Sequence, residues 1–258
     1  MKQLKHLLFA FFLFATINAQ AQVGIGTTTP AASAQLDVSS TTKGFLPPRM
    51  TYTQKLAIAT PVAGLIIWCS NCGPSGEVQV SNGTAWTNMI GGSALAPLAI
   101  GDSYQGGIIA YILVSGDPRY DANTKHGLIA AATDQSTGIR WYNGSYTTTG
   151  ATATAIGTGL ANTNTIIVSQ GATATSYAAG LARAYTGGGY NDWYLPSKDE
   201  LAKLYAMKVL GFGGFAINYY WSSTEIDNLY AGIQGFSLGA QGFYFKSTTP
   251  YVRAVRAF

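Results

Sequence analysis

The run from Asp192 to Leu201 constrains the fold more than any other stretch of this 258-residue chain. It reads Asp-Trp-Tyr-Leu-Pro-Ser-Lys-Asp-Glu-Leu: a strand end, a proline stop and a helix start in immediate succession. Ser197 and Glu200 have capping-box spacing, in which the hydroxyl takes an orphan amide of the first turn and the carboxylate reaches back to the cap amide. Leu201, Leu204 and Tyr205 then share one helical face. A chain that passes from strand to capped helix without a linker mixes the two structures in one core. The flanking sequence agrees. Residues 106–114, 126–131 and 139–141 read as strands, and Tyr177, Leu181 and Tyr185 as a helical face stopped by Gly187-Gly188-Gly189. Residues 219–223, 229–238, 242–247 and 251–257 read as four further strands, and 148–165 as a long Thr- and Asn-rich surface loop. Two helices with short antiparallel strands and long loops make an α+β layout.

The N-terminus has the form of a secretory signal peptide: Lys2 and Lys5, an apolar run over residues 7–17, and Ala19-Gln20-Ala21 as a cleavage site before Gln22. No later stretch is long enough to span a membrane. Of 15 Lys and Arg, two fall in this peptide, so 13 face 11 acidic residues in the mature chain, a net charge of +2. With no basic run, nucleic acid is not an expected partner. Low charge with abundant Gly, Thr and aromatics suits a β-rich extracellular protein, with the periplasm as the other destination after export.

The mature chain reads as two parts: residues 22–92, a linker at 93–98, and residues 99–258. In the first, Pro47 and Pro48 enforce an extended course, Thr51 or Thr53 caps a short helix, residues 64–68 form a strand, and Asn82-Gly83 signals a hairpin. The two cysteines, Cys69 and Cys72, are followed by the turn sequence Gly73-Pro74-Ser75-Gly76. A structural loop disulfide is the leading reading, with a reduced pair and a redox pair beside it. Zinc lacks further ligands.

The segment 192–201, followed by Tyr220-Trp221-Ser222-Ser223-Thr224 and Val252-Arg253-Ala254-Val255-Arg256, resembles the Lcl C-terminal domain family of bacterial surface proteins. The resemblance covers about three fifths of the chain. It implies a C-type-lectin-like head, similar to formylglycine-generating enzymes, in which the last strand pairs beside the first. Residues 23–27 and 43–51 resemble a segment of secreted and tail-fibre-like proteins. That resemblance implies a small extended β-rich stalk and a homo-oligomer, a trimer by analogy with such fibres.

No catalytic group stands out. The formylglycine-type activity needs reactive cysteines within the domain, and residues 73–258 have none. His126 is the single histidine of the mature chain and no nucleophile elbow surrounds any serine. Asp192, Asp199, Glu200, Glu225 and Asp227 have no separation fixed by sequence. No cofactor is required, although Glu225 and Asp227 are weighed as hard-oxygen calcium ligands. The ligand-binding candidates are Trp141, Tyr142 and Tyr146 around a turn-like Asn143-Gly144, and the cations Lys246, Arg253 and Arg256, with no acidic residue after Asp227. The two arginines are three apart, so on a regular strand they face opposite sides. One is expected to be paired internally and the other exposed beside Lys246, where its planar fork suits sulfate or carboxylate. The resemblance to adhesins implies sulfated glycans. The expected function is a secreted or surface-displayed, non-enzymatic module that binds extracellular polysaccharide or a host glycan. Two other readings stand beside it: a structural surface protein making protein contacts, and a hydrolase with an unrecognised carboxylate site.

Overall fold

In a computed structural model, residues 22–171 and 175–258 are described; the expected signal peptide lies outside the described residues. The chain divides into two compact units, one ending at Pro48 and the other running from Arg49 to Phe258. In the first, β1 (Val23–Ile25) and β2 (Leu36–Val38) pair in parallel. Their apolar side chains Val23, Ile25, Leu36 and Val38 all remain exposed. Two strands of three residues make a minimal sheet with no core of its own.

The second unit opens with a four-stranded sheet in the order β3-β4-β5-β6. It comprises β3 (Arg49–Met50), β4 (Ile66–Cys69), β5 (Glu77–Ser81) and β6 (Trp86–Asn88). Between β3 and β4 lies helix α1 (Tyr52–Leu56), capped by Thr51 in a full capping box with Gln54. The Asn82-Gly83 signal is met by the antiparallel β5–β6 hairpin. Cys69 and Cys72 form a disulfide, buried in a small cluster with Ile67.

The remaining sequence builds an α+β head. One antiparallel sheet runs β13-β9-β8-β7. Its strands are β7 (Ser103–Tyr104), β8 (Gly107–Ile112), β9 (Gly127–Ala131) and β13 (Val255–Ala257). The last strand therefore pairs with β9, at the opposite edge from β7, and not beside the first strand of that sheet. The second sheet, β10 (Tyr219–Glu225), β11 (Tyr230–Gly235) and β12 (Gln241–Phe245), is an antiparallel meander. Two apolar clusters fill the head: one around Trp141, Tyr177, Trp193, Trp221 and Ile233, the other around Leu201, Leu204, Tyr220, Phe236 and Val255.

Two local expectations fail for a physical reason. Residues 148–165 are loop only in their first part, because helix α2 spans Gly159–Gln170. Its inward face carries Asn162, Thr163, Ile166 and Gln170, so no apolar stripe marks it. Thr163 instead bonds the backbone of Leu195, accepting from its N–H at 3.1 Å and donating to its carbonyl at 3.2 Å. Among the described residues the head thus has three α-helices where two were expected: α2, α3 (Ala178–Ala184) and α4 (Lys198–Val209). Residues 139–141 form no strand; Ile139 and Trp141 donate their amides singly to Pro250 and Lys246.

Helix α4 begins as its sequence dictates. Ser197 Oγ accepts from Glu200 N at 3.3 Å, and Glu200 Oε2 accepts from Ser197 N at 2.8 Å. Glu200 also takes the amide of Gly157 at 2.9 Å and the hydroxyl of Tyr194 at 3.2 Å. Burial pushes its carboxyl up, against the pull of these donors. The close approach fixes a glycine at the start of α2: a Cβ on Gly159 would lie 2.2 Å from Glu200 Oε2.

Candidate functional site

The three cations expected to form a ligand surface are all inside. Lys246 is fully buried: its Nζ pairs with Glu225 at 2.6 Å, donates to the carbonyl of Thr147 at 2.9 Å, and lies over the Trp141 ring at 4.6 Å. Glu225 receives in addition the amides of Thr149 and Gly150 at 2.9 and 2.7 Å. Arg253 is buried too. Its Nε meets Asp134 at 2.7 Å, and Nη1 donates to the carbonyls of Ala131 at 3.0 Å and Gly213 at 2.7 Å. Tyr220 donates to the other oxygen of Asp134 at 3.0 Å.

Arg256 forms a bidentate pair with Asp192 at 2.7 and 2.9 Å, donates to Gln105 at 2.6 Å, and stacks on Tyr190 at 3.9 Å. These bonds hold the Asp192 carboxyl below its ordinary range. The expectation of one internal and one exposed arginine is therefore corrected: both are internal, and Lys246 with them. The two do point to different sides, since Arg253 packs on Phe215 and Arg256 near Trp193. The final segment is covered on both sides, however. Ala254 belongs to one apolar cluster and Val255 to the other.

Glu225 and Asp227 do not converge. Glu225 is neutralised by Lys246, and Asp227 accepts the amides of Leu229 and Tyr230 at 2.7 and 2.8 Å as a turn residue. Among the described residues no group of three or more His, Cys, Asp or Glu side chains is arranged to hold a metal ion. His126 uses Nδ1 on the carbonyl of Phe258 at 3.1 Å. Trp141 is also corrected: it is fully buried, with Nε1 donating to Ser222 O at 2.9 Å.

The two tyrosines that follow Trp141 do form a surface feature. Tyr146 is 42% exposed and stacks on the buried Tyr142, with ring centres 4.7 Å apart and planes at 28°. The exposed Arg140 guanidinium stands 5.5 Å from the Tyr142 ring. Gln170 on α2 holds the loop: Asn143 N donates to its Oε1 at 2.9 Å, and its Nε2 donates to Thr147 Oγ1 at 2.6 Å. A stacked pair pinned in this way offers a flat ring face with little ordering to be done on binding.

Sequence reasoning passed over the aromatics of the β10–β11–β12 sheet. Tyr219 and Tyr244 pack at 4.9 Å and line an open cleft of about 350 Å³ with Asn218, Thr248, Thr249 and Pro250. On the opposite face of β12, the exposed Phe243 and Phe245 flank Tyr230 at 5.3 and 4.5 Å. The signal was the uncharged run Gln-Gly-Phe-Tyr-Phe: three consecutive aromatics in a strand place ring faces on both sides of it.

No helix among the described residues is long and apolar enough to cross a membrane. No curated protein matches the chain. A solved structure that it resembles is a fimbrial protein from Bacteroides ovatus ATCC 8483. The two are 17% identical with a TM-score of 0.45, over 70% of this chain and 57% of that one, so the chain spans little more than half of that protein's length. The family matches suit a homo-oligomeric surface or extracellular protein. Residues 24–106, which take in the first unit, the β3–β6 sheet and β7, match the phage tail like trimerisation region, and residues 130–256, within the α+β head, match the Lcl C-terminal domain family.

Proposed function

We propose that the protein is a non-enzymatic, surface-displayed binding module, in which a trimeric N-terminal stem presents the head to a glycan. The observation that carries this reading is the contrast between hidden charge and displayed rings. Lys246, Arg253 and Arg256 are buried and spent on carboxylates of the chain itself, while Tyr146 lies flat and exposed on Tyr142. Ring faces of this kind stack on the apolar side of a sugar. The ligand class therefore moves from sulfated chains toward neutral glycans, with Arg140 as the one cation beside the stacked pair. The reading needs no cofactor; calcium at Glu225 would have to displace the buried Lys246 ammonium.

A glycan array probed with the mature chain tests this. Neutral oligosaccharides should bind, with little dependence on salt. Tyr146→Ala should weaken binding by roughly 0.5–1.5 kcal/mol, the worth of one aromatic contact, without changing the melting temperature. Binding untouched by Tyr146→Ala would remove the stacked pair from the site. A second reading, a structural protein making protein contacts, rests on the apolar strip of Tyr230, Phe243 and Phe245 along the open strand β12. Silence across neutral, carboxylated and sulfated glycans would favour it.

A further inference from the structure

Helix α1 carries a lysine into the interior of the β3–β6 sheet. Lys55 is only 3% exposed, and its Nζ lies 2.9 Å from Oε1 of the fully buried Gln79 on β5. The ring of Tyr52 lies 4.4 Å from the amine and that of Trp86 5.8 Å. Among the described residues Lys55 has no carboxylate within ion-pair distance. A buried ammonium whose one hydrogen-bond acceptor is an amide oxygen is poorly compensated. Burial accordingly pushes its pKa below the usual lysine range, despite the pull of Glu77. A larger share of the amine is then free and nucleophilic near neutral pH.

The carboxamide in front of that amine is held at both ends. Gln79 Nε2 donates to Glu77 Oε2 at 2.8 Å and to the carbonyl of Leu95 at 2.9 Å. Glu77 is kept in place by the amide of Leu95 at 2.8 Å. Nucleophile, electrophile and proton carrier thus stand in one row: amine, amide carbonyl, leaving nitrogen, carboxylate.

We propose that Lys55 and Gln79 join in an intramolecular isopeptide bond, with Glu77 as the proton carrier. The free amine of Lys55 attacks Cδ of Gln79, and the new C–N bond forms as the carbonyl opens to a tetrahedral intermediate. The attacking nitrogen passes its proton to Oε1, the oxygen it already hydrogen-bonds. Glu77, partly exposed and so in proton exchange with water, protonates Nε2 across the existing contact, and the Oε1 proton returns to water as the carbonyl re-forms. The old C–N bond breaks, ammonia leaves, and a secondary amide remains. No oxidant, metal or second substrate enters. A general acid–base group within hydrogen-bond reach of the leaving atom is what such a step requires. The product would tie α1 to β5 across 24 residues of sequence, in a sheet whose strands are only two to five residues long. A covalent tie of this kind closes a loop that pulling on the stem would otherwise open.

Peptide mass spectrometry of the purified full chain, reduced and denatured, decides the matter. Trypsin should fail to cut after Lys55, leaving residues 50–119 as one peptide lighter by one ammonia. Chymotrypsin should then release a branched peptide joining Lys55 to Gln79. Intact mass is not the readout, because cyclisation of Gln22 at a mature N-terminus also expels ammonia. Lys55→Arg should abolish the branched peptide. Glu77→Gln should abolish it or slow its formation at least tenfold, while residues 50–119 remain protected from proteolysis in the folded state. Complete tryptic cleavage after Lys55 with an unmodified Gln79 would overturn the proposal. So would recovery of Gln79 as glutamate, which would mean that water had taken the place of the amine. Full cross-linking in Glu77→Gln would overturn the part assigned to Glu77.

Discussion

The stem unit and the head answer the same problem in opposite ways. In residues 22–48 the two strands expose Val23, Ile25, Leu36 and Val38 to solvent, and none of the described residues covers them. In the head three cations, Lys246, Arg253 and Arg256, are inside, each matched to a carboxylate and further acceptors. A segment of three-residue strands cannot bury enough surface to offset the entropy of ordering itself. A larger domain can, and it can also afford ion pairs whose geometry is complete. Pairing with other copies would cover the stem's strands, in keeping with the trimerisation-region match, whereas the head has apolar clusters of its own. Folding and assembly should be separable by mutation.

The largest expected effect lies in the head. Lys246→Ala leaves Glu225 buried and unmatched, which should cost about 3–5 kcal/mol in denaturant unfolding while leaving the oligomeric state of the folded fraction unchanged. A variant as stable as wild type would mean that water reaches Glu225, and the contrast with the stem would weaken. Next comes the stem itself. Ile25→Ser in the full mature chain should weaken assembly by roughly 2 kcal/mol per copy, the value of burying such a side chain. Light scattering should show trimers giving way to smaller species with the melting temperature of the head unaltered. A chain that is monomeric before any substitution would remove the comparison's premise.

Smaller effects sharpen the picture within the head. Ser197→Ala removes both the cap to Glu200 N and the bond to Ala155 O, and should lower stability by about 1 kcal/mol. Unchanged thermal unfolding would show that the Glu200 half of the box is sufficient. The smallest effect is a matter of pH. The bonds from Arg256 hold the folded Asp192 carboxyl below its unfolded value. This contribution is fully present above about pH 4, the ordinary carboxyl pKa, and is lost as pH falls through the lower folded value. Asp192→Asn should flatten that part of the acid limb in a series of melting curves, with little change at neutral pH. An identical acid limb in both proteins would mean that Arg256 is held by Gln105 and Tyr190 instead.

Local chemistry was legible where it is set by near neighbours. The capping box of α4, the cap of α1 by Thr51 (one of the two threonines offered), the Asn82-Gly83 hairpin, the disulfide between Cys69 and Cys72, and most strands of the head stand where their residues place them. Each depends on groups within a few positions of one another, so spacing alone carries the information. The α+β class was legible for the same reason.

What the sequence left open was which side chains meet across long distances. Lys246 finds Glu225 across 21 residues, Arg256 finds Asp192 across 64, and Arg253 finds Asp134 across 119. Nothing in one chain reports such a pairing, and an unpaired cation in a strand looks identical to a surface cation. Helix α2 was hidden because its inward face is polar, so the usual periodicity is missing. The same holds for Lys55 and Gln79, which are unremarkable residues until the sheet sets them 2.9 Å apart. Sequence determined most of the elements and the caps and turns that end them, because caps, turns and alternation act over one or two turns of chain. Tertiary structure alone decided which charges are spent inside and which rings are left for a partner, because burial is a property of packing.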